Sequence, residues 1–241
     1  MQVLSAAEYE RLTDGAEILA RDDYGIKVLR QSNGTIFKLF RLKRKLSSAV
    51  LWPYALRFER ASKQLAALKI PTVEVSGVYK IPSIKRHVVI YRELPGAMLR
   101  SVLAANDNSN KYIARLAAFI STLHERGVYF RGIHLGNIVV LENDNMGLID
   151  VSEARVKSRK LGACLRARNF RPLVSYEEDR VALSKHGICR FINEYLAYAK
   201  LSSISRKMFL AKLGSIHGIY KKACLEILDN KSAVTDGELE I

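Results

Sequence analysis

The chain is short of the features that mark secreted, membrane-spanning or repetitive proteins. Cysteine occurs only as Cys164, Cys189 and Cys224, odd in number and without metal-type spacing, so neither a disulfide framework nor a zinc site is legible. Buried free thiols in a reducing compartment are the expectation. No apolar run approaches the length of a membrane span. The opening Met1-Gln2-Val3-Leu4-Ser5-Ala6-Ala7-Glu8 lacks the basic start and apolar stretch of a secretory signal. Internal repeats and low-complexity tracts are also missing. Acidic residues are scarce, with 24 Asp and Glu against 39 Lys and Arg, a formal net charge of +15. Such an excess calls for an anionic partner: nucleic acid, a phospholipid surface, or a phosphorylated glycan or nucleotide. What is present is apolar material, 49% of 241 residues, enough for one large core or two small lobes. A cytoplasmic protein, resting peripherally on an anionic membrane surface, is expected.

The order of elements narrows the fold. Ser5, with Glu8 three residues on, caps a short helix to Leu12. Ala16 to Ala20 and Gly25 to Arg30 read as strands, and Gln31-Ser32-Asn33-Gly34 as a hairpin turn, because Asn-Gly supplies positive φ angles. Thr35 to Phe40 returns as the next strand, with Lys38 on the face opposite Phe37 and Leu39. After the basic run Arg41 to Lys45, Pro53 opens a helix over 54–68 that carries Glu59. Strands follow over 73–79 and 87–91, and Glu93-Leu94-Pro95-Gly96 breaks the pattern as a linker would. Beyond it the periodicity is helical: 99–104, 110–126 closed by Gly127, 177–200 and 205–228, with a polar tail from Asn230. The class is α+β, with expected divisions at 1–94, 95–229 and 230–241.

Two polar interruptions stand in apolar surroundings: Phe130-Arg131-Gly132-Ile133-His134-Leu135-Gly136-Asn137, and Leu148-Ile149-Asp150-Val151-Ser152. An amide and a carboxylate at the mouths of adjacent hairpin strands supply the oxygen ligands a hard divalent cation prefers. Taken singly, Asn137 and Asp150 read equally as turn formers, and Lys38 and Glu59 as solvated strand and helix residues. Their joint order along the chain argues otherwise. Residues 155 to 171 are strongly basic, with Arg166, Arg168 and Arg171 and no acidic residue among them. Aromatic residues interleave too sparsely there for a nucleic-acid surface.

These motifs resemble the protein-kinase-like superfamily, and specifically the small bacterial kinases that phosphorylate sugars of the lipopolysaccharide core. The resemblance covers 15–200 and implies a bilobal fold: an N-lobe of antiparallel strands with one main helix, a mostly helical C-lobe, and nucleotide between them. It implies ATP and Mg²⁺ as cofactors, with Asn137 and Asp150 as metal ligands and Lys38 on the phosphates. Glu59 would orient Lys38, and Glu93 would stand beside the nucleotide. His134 would assist at the γ-phosphate. Arg166, Arg168 and Arg171 would meet an acidic acceptor, a lipopolysaccharide core sugar such as phosphorylated heptose or Kdo. The chain departs from the family pattern His-x-Asp-x-x-x-x-Asn in having Phe130 and Gly132 at the His and the catalytic Asp. That leaves His134, and more weakly Glu153, to accept the acceptor proton. The glycine-rich loop is also missing, since Arg21-Asp22-Asp23-Tyr24-Gly25 carries one glycine. The same departures fit a rival reading, a catalytically inactive pseudokinase that binds nucleotide or a partner and regulates envelope synthesis.

Overall fold

The computed structural model describes residues 1–42, 52–105 and 110–235. Residues 43–45 of the expected basic run and 236–241 of the expected tail lie outside the described residues. The chain is α+β and divides into two compact units, one of 1–95 with 147–153, the other of 96–146 with 154–241. The short segment that carries Asp150 therefore belongs to the first unit, whereas the sequence division at 94 and 95 had put it in the second.

The first unit is built on a six-stranded sheet. Its strands are β1 (Gln2–Val3), β2 (Glu17–Asp22), β3 (Gly25–Arg30), β4 (Thr35–Arg41), β5 (Glu74–Ile81) and β6 (Arg86–Arg92), in the order β1-β5-β6-β4-β3-β2. β1 pairs parallel with β5, a contact that two residues of sequence do not announce. Between β1 and β2, helix α1 (Ala6–Thr13) is capped as expected: Ser5 Oγ accepts from the Glu8 N–H while Glu8 reaches back to the Ser5 N–H. The β3–β4 turn closes on Gly34 at φ +78°, with the Thr35 N–H donating to Asn33 Oδ1 at 2.9 Å. Strict alternation then sorts β4 into two faces. Phe37 and Leu39 enter a core with Leu4, Leu29, Ile81 and Val88. Phe40 lies on the other face, with Phe58 of helix α2 (Tyr54–Ala67) 6.1 Å from its ring, and Phe58 in turn stacks on Tyr91 at 5.3 Å. Lys38 shares that second face.

The second unit is mainly helical. Its helices are α3 (Leu99–Ala105), α4 (Asn110–Glu125), α5 (Ala163–Arg168), α6 (Glu177–His186), α7 (Ile188–Tyr198), α8 (Ser203–Gly214) and α9 (Gly218–Thr235). α4 buries the stripe Ile113, Leu116, Ala117, Ile120 and Leu123 and ends at Gly127, φ +76°. The period read as one helix over 177–200 is two, broken at Gly187 with φ +99°. Likewise 205–228 is α8 and α9, and α9 continues to Thr235, past the expected start of the tail. The core centres on Phe170, whose ring lies 4.9 Å from Tyr195, 5.4 Å from Phe209 and 5.8 Å from Phe191. Short strands β7 (Ala97–Met98) and β9 (Ile138–Val140) pair antiparallel, as do β8 (Val128–Phe130) and β11 (Ala154–Val156). The thiols are free, but Cys164 is exposed and only Cys224 is buried, so the expectation of buried thiols holds for one of the three. Burial pushes the Cys224 thiol up to about 11.

Candidate functional site

In the first unit the site is a lysine and an aspartate. Lys38 Nζ lies 2.8 Å from Asp150 Oδ2; the lysine side chain is 10% exposed and the aspartate 37%. Asp150 follows strand β10 (Met146–Leu148), which is tied to the segment after α2: the Leu148 N–H donates to the Pro71 carbonyl at 2.9 Å, and Thr72 Oγ1 donates to the Leu148 carbonyl at 2.8 Å. Gly147 permits that approach, because a Cβ there would fall 3.0 Å from the Pro71 carbonyl oxygen. On the other side Val151 is buried in a 3₁₀ turn, 151–153, that packs on α2. Fixed at both ends, Asp150 sits at φ +53°, a left-handed conformation uncommon outside glycine. Burial, then the negative charges of Asp150 and Glu93, raise the Tyr91 phenol well above its ordinary range.

Glu59 does not orient Lys38. Its Oε1 lies 2.7 Å from Lys63 Nζ, one turn along the same helix, because position 59 falls outside the stripe Ala55, Phe58, Ser62 and Leu65 that α2 buries. Lys38 has Asp150 in its place. Glu93 accepts from Arg30 Nε at 3.0 Å, an ion pair with the last residue of β3, two strands over from β6. The β2–β3 turn, where a glycine-rich loop was missing, is held closed: Arg86 donates to the Tyr24 carbonyl at 2.7 Å and to Asp22 Oδ1 at 3.3 Å. The Tyr24 N–H, then Arg86, hold the Asp22 carboxyl below its ordinary range.

In the second unit the loop after β8 is folded around its own backbone. The His134 N–H donates to the Gly132 carbonyl at 3.0 Å, and Asn137 Nδ2 donates to the same oxygen at 2.9 Å. With Nδ2 so engaged, the amide keeps Oδ1 as its acceptor end. Two buried residues that sequence reasoning did not single out hold this loop. Asp179, fully buried at the start of α6, accepts from the Leu135 N–H at 3.1 Å and twice from Arg100, at 2.8 and 3.1 Å. Asn169 donates to the Phe130 carbonyl at 2.6 Å and accepts from the Phe130 N–H at 3.3 Å. Glu177-Glu178-Asp179 reads in sequence only as an acidic first turn, which the helix dipole favours. Nothing local says which of the three turns inward.

His134 caps the 3₁₀ turn 135–137, its Nδ1 accepting from the Gly136 N–H at 3.2 Å. A neutral ring that accepts at Nδ1 carries its proton on Nε2. In that tautomer Nδ1 is engaged by the Gly136 N–H and Nε2 is the donor. Its ring lies 4.7 Å from that of Tyr176, which also carries Arg100 at 4.7 Å. Gly132 offers no base, and its surroundings leave none room: a Cβ at 132 would lie 2.9 Å from the fully buried ring of Phe130.

The basic segment divides. Arg166 is fully buried, donating to the Leu161 carbonyl at 2.7 Å, to Tyr195 Oη at 3.3 Å and to Glu125 at 2.7 Å. It is a core residue, and the expectation that it meets an acceptor is withdrawn. Arg168 and Arg171 instead line a cleft of about 930 Å³ with Arg131, Gly132, His134 and Lys212. Among the described residues, no group of three or more His, Cys, Asp and Glu converges as a metal site, and no helix is long and apolar enough to cross a membrane. Neither the protein-family models nor the curated proteins contain a match to the chain.

Proposed function

We propose that the chain is a kinase-like, ATP-dependent phosphotransferase that modifies an anionic sugar of the envelope, a lipopolysaccharide core sugar being the class the loop motifs point to. The observation that carries this reading is the Lys38–Asp150 pair, with the carboxylate held at φ +53° between a bonded strand and a packed turn. A scaffold has no need of a strained aspartate beside a largely buried lysine, whereas phosphoryl transfer needs both charges fixed in advance. Lys38 would hold phosphate oxygens. Of the expected ligands, the Asp150 carboxylate and the Asn137 amide oxygen are each of the type that Mg²⁺ takes. When bound, that ion would neutralise charge on the transferring phosphoryl group. His134, with its proton on Nε2, would donate to a phosphoryl oxygen. Work would take place at the inner face of the cytoplasmic membrane.

A second reading, a nucleotide-binding pseudokinase that regulates envelope synthesis, is favoured by one observation: the Phe130 ring fills the space in which a base at 132 would begin. The first reading is kept because a loose transition state leaves most of the work to charge and position, with general-base help supplying only ~10²–10⁴-fold. The test is transfer of labelled γ-phosphate from Mg-ATP to purified lipopolysaccharide core, alongside thermal shift. Transfer by the wild type that vanishes in Asp150→Ala is the expected result. A Mg-ATP thermal shift without transfer would move the assignment to the pseudokinase. Neither shift nor transfer would overturn both.

A further inference from the structure

We infer that the cleft on the second unit is a binding site for a sugar carrying two phosphate groups. Four cations line it: Arg131 just after β8, Arg168 at the end of α5, Arg171 three residues on, and Lys212 in the last turn of α8. No carboxylate is among the lining residues. The ion pairs of the described residues use none of these four cations. A helix dipole favours basic residues in a last turn, which would account for Lys212 and Arg168 singly. It does not account for Arg131 or Arg171, nor for the convergence of all four on one concavity. Like charges gathered without counter-charge repel one another, and a bound anion removes that repulsion.

The size and lining narrow the ligand. A phosphate monoester carries roughly 1.5–2 negative charges, so two of them match four cations. About 930 Å³ lies at the upper end of small-ligand sites, room for a phosphorylated mono- or disaccharide. Tyr129 gives the wall an aromatic side chain for a sugar ring, and the exposed hydroxyls of Ser175 and Ser215, which donate to the Arg171 and Lys212 carbonyls, keep their oxygens as acceptors for sugar hydroxyls. Gly132 and His134 lie in the same wall, so a sugar held there would bring a hydroxyl to the loop that the proposed chemistry uses. That last step rests on the phosphotransferase reading. The anion site itself does not.

The test uses the full chain without nucleotide or Mg²⁺, titrated calorimetrically with glucose 1,6-bisphosphate, glucose 1-phosphate and a single-stranded RNA oligonucleotide. The bisphosphate is expected to bind at least tenfold more tightly than the monophosphate. Arg168→Gln and Arg171→Gln should each weaken it by roughly tenfold. Arg159→Gln, an exposed residue outside the cleft with the same change of charge, should leave it within about twofold. Equal losses in all three variants would show diffuse surface charge and overturn the site, as would tighter binding of the RNA. A second arm uses phosphatidylcholine vesicles with and without a bisphosphorylated disaccharide lipid. Capture only by the doped vesicles, lost in Arg168→Gln, would place the two phosphates on a lipid headgroup; binding of the soluble ester alone would place them on a free sugar. Binding without γ-phosphate transfer would thus keep the cleft and remove the phosphotransferase reading, and transfer without bisphosphate binding would do the reverse.

Discussion

The Cα of Gly132 lies against the ring of Phe130, and any side chain at 132 would begin 2.9 Å from that ring's Cε2 and 3.3 Å from its Cζ. The two positions are therefore one unit of packing. Gly132→Asp should destabilise the protein by about 1–3 kcal/mol through overpacking, read as a lowered denaturant midpoint. In Phe130→His with Gly132→Asp, the shorter five-membered ring reaches less far toward 132, and about half of that loss should return. On the phosphotransferase reading the double variant should also transfer phosphate faster, by a factor of up to ~10². A single Gly132→Asp variant as stable as the wild type would show that Phe130 does not guard the position. Asp179 makes a different kind of prediction. Asp179→Ala strands the Leu135 N–H and leaves Arg100 without its two carboxylate bonds, a cost of about 3 kcal/mol by chemical denaturation. Asp179→Asn keeps an acceptor for Leu135 and should recover part of it.

Among the elements, helix ends carry most of what the sequence hid. Gly187 separates α6 from α7 at φ +99°, its N–H donating to the Leu183 and Ser184 carbonyls, and a Cβ there would meet only Arg190 Cβ at 3.7 Å. Space is not the constraint; backbone conformation is. Gly187→Ala should cost roughly 1–2 kcal/mol, with no change in bisphosphate binding, since the residue is not part of the cleft wall. A neutral substitution would mean that the break is set by packing alone. The helical period runs on through this glycine because both helices bury apolar faces, so periodicity by itself reads one helix. Strands β2 to β6 were legible because their signals are local: an Asn-Gly turn, a two-residue alternation, a proline at the head of α2. The site was legible only in part for the same reason. Lys38 and Asp150 announce themselves by strand position and by an apolar run that stops at a carboxylate. Glu59 misled, because its inward or outward aspect depends on the rotation of α2 against the sheet. Arg166 misled as well, since a basic run looks uniformly solvated until one member finds Glu125 and Tyr195 in the core. Asp179 and Asn169 act across long chain separations, where no local pattern reports them.

For the molecule as a whole, the balance of +15 means that acid weakens it from two directions. Protonation of carboxylates adds to self-repulsion, and one core histidine adds a specific term. His124 is buried in the second unit, with Nδ1 2.9 Å from Tyr195 Oη and Nε2 3.2 Å from Asn169 Oδ1. Burial, and more weakly the nearby charge of Arg166, push its pKa down to about 3, while Asn169 opposes them. The folded chain thus keeps this ring neutral where the unfolded chain, titrating near the ordinary histidine value of ~6.5, takes up a proton. Above the unfolded value the two states bind equally and the term is silent. Below it the unfolded state binds more protons, so stability falls as pH drops from ~6.5 toward 3, by up to about 1.4 kcal/mol per pH unit. The same histidine touches Asn169, which holds both backbone groups of Phe130. Acid should therefore loosen the second unit where its loop is anchored. Chemical denaturation of the wild type and of His124→Gln between pH 7 and 4.5 separates this term from the general loss of carboxylates. The wild type should show the steeper fall, and the variant, less stable at pH 7, should approach it in stability as the pH drops. Parallel curves would assign the acid sensitivity to net charge and to His87, which burial also holds below its ordinary range, and leave His124 a packing residue.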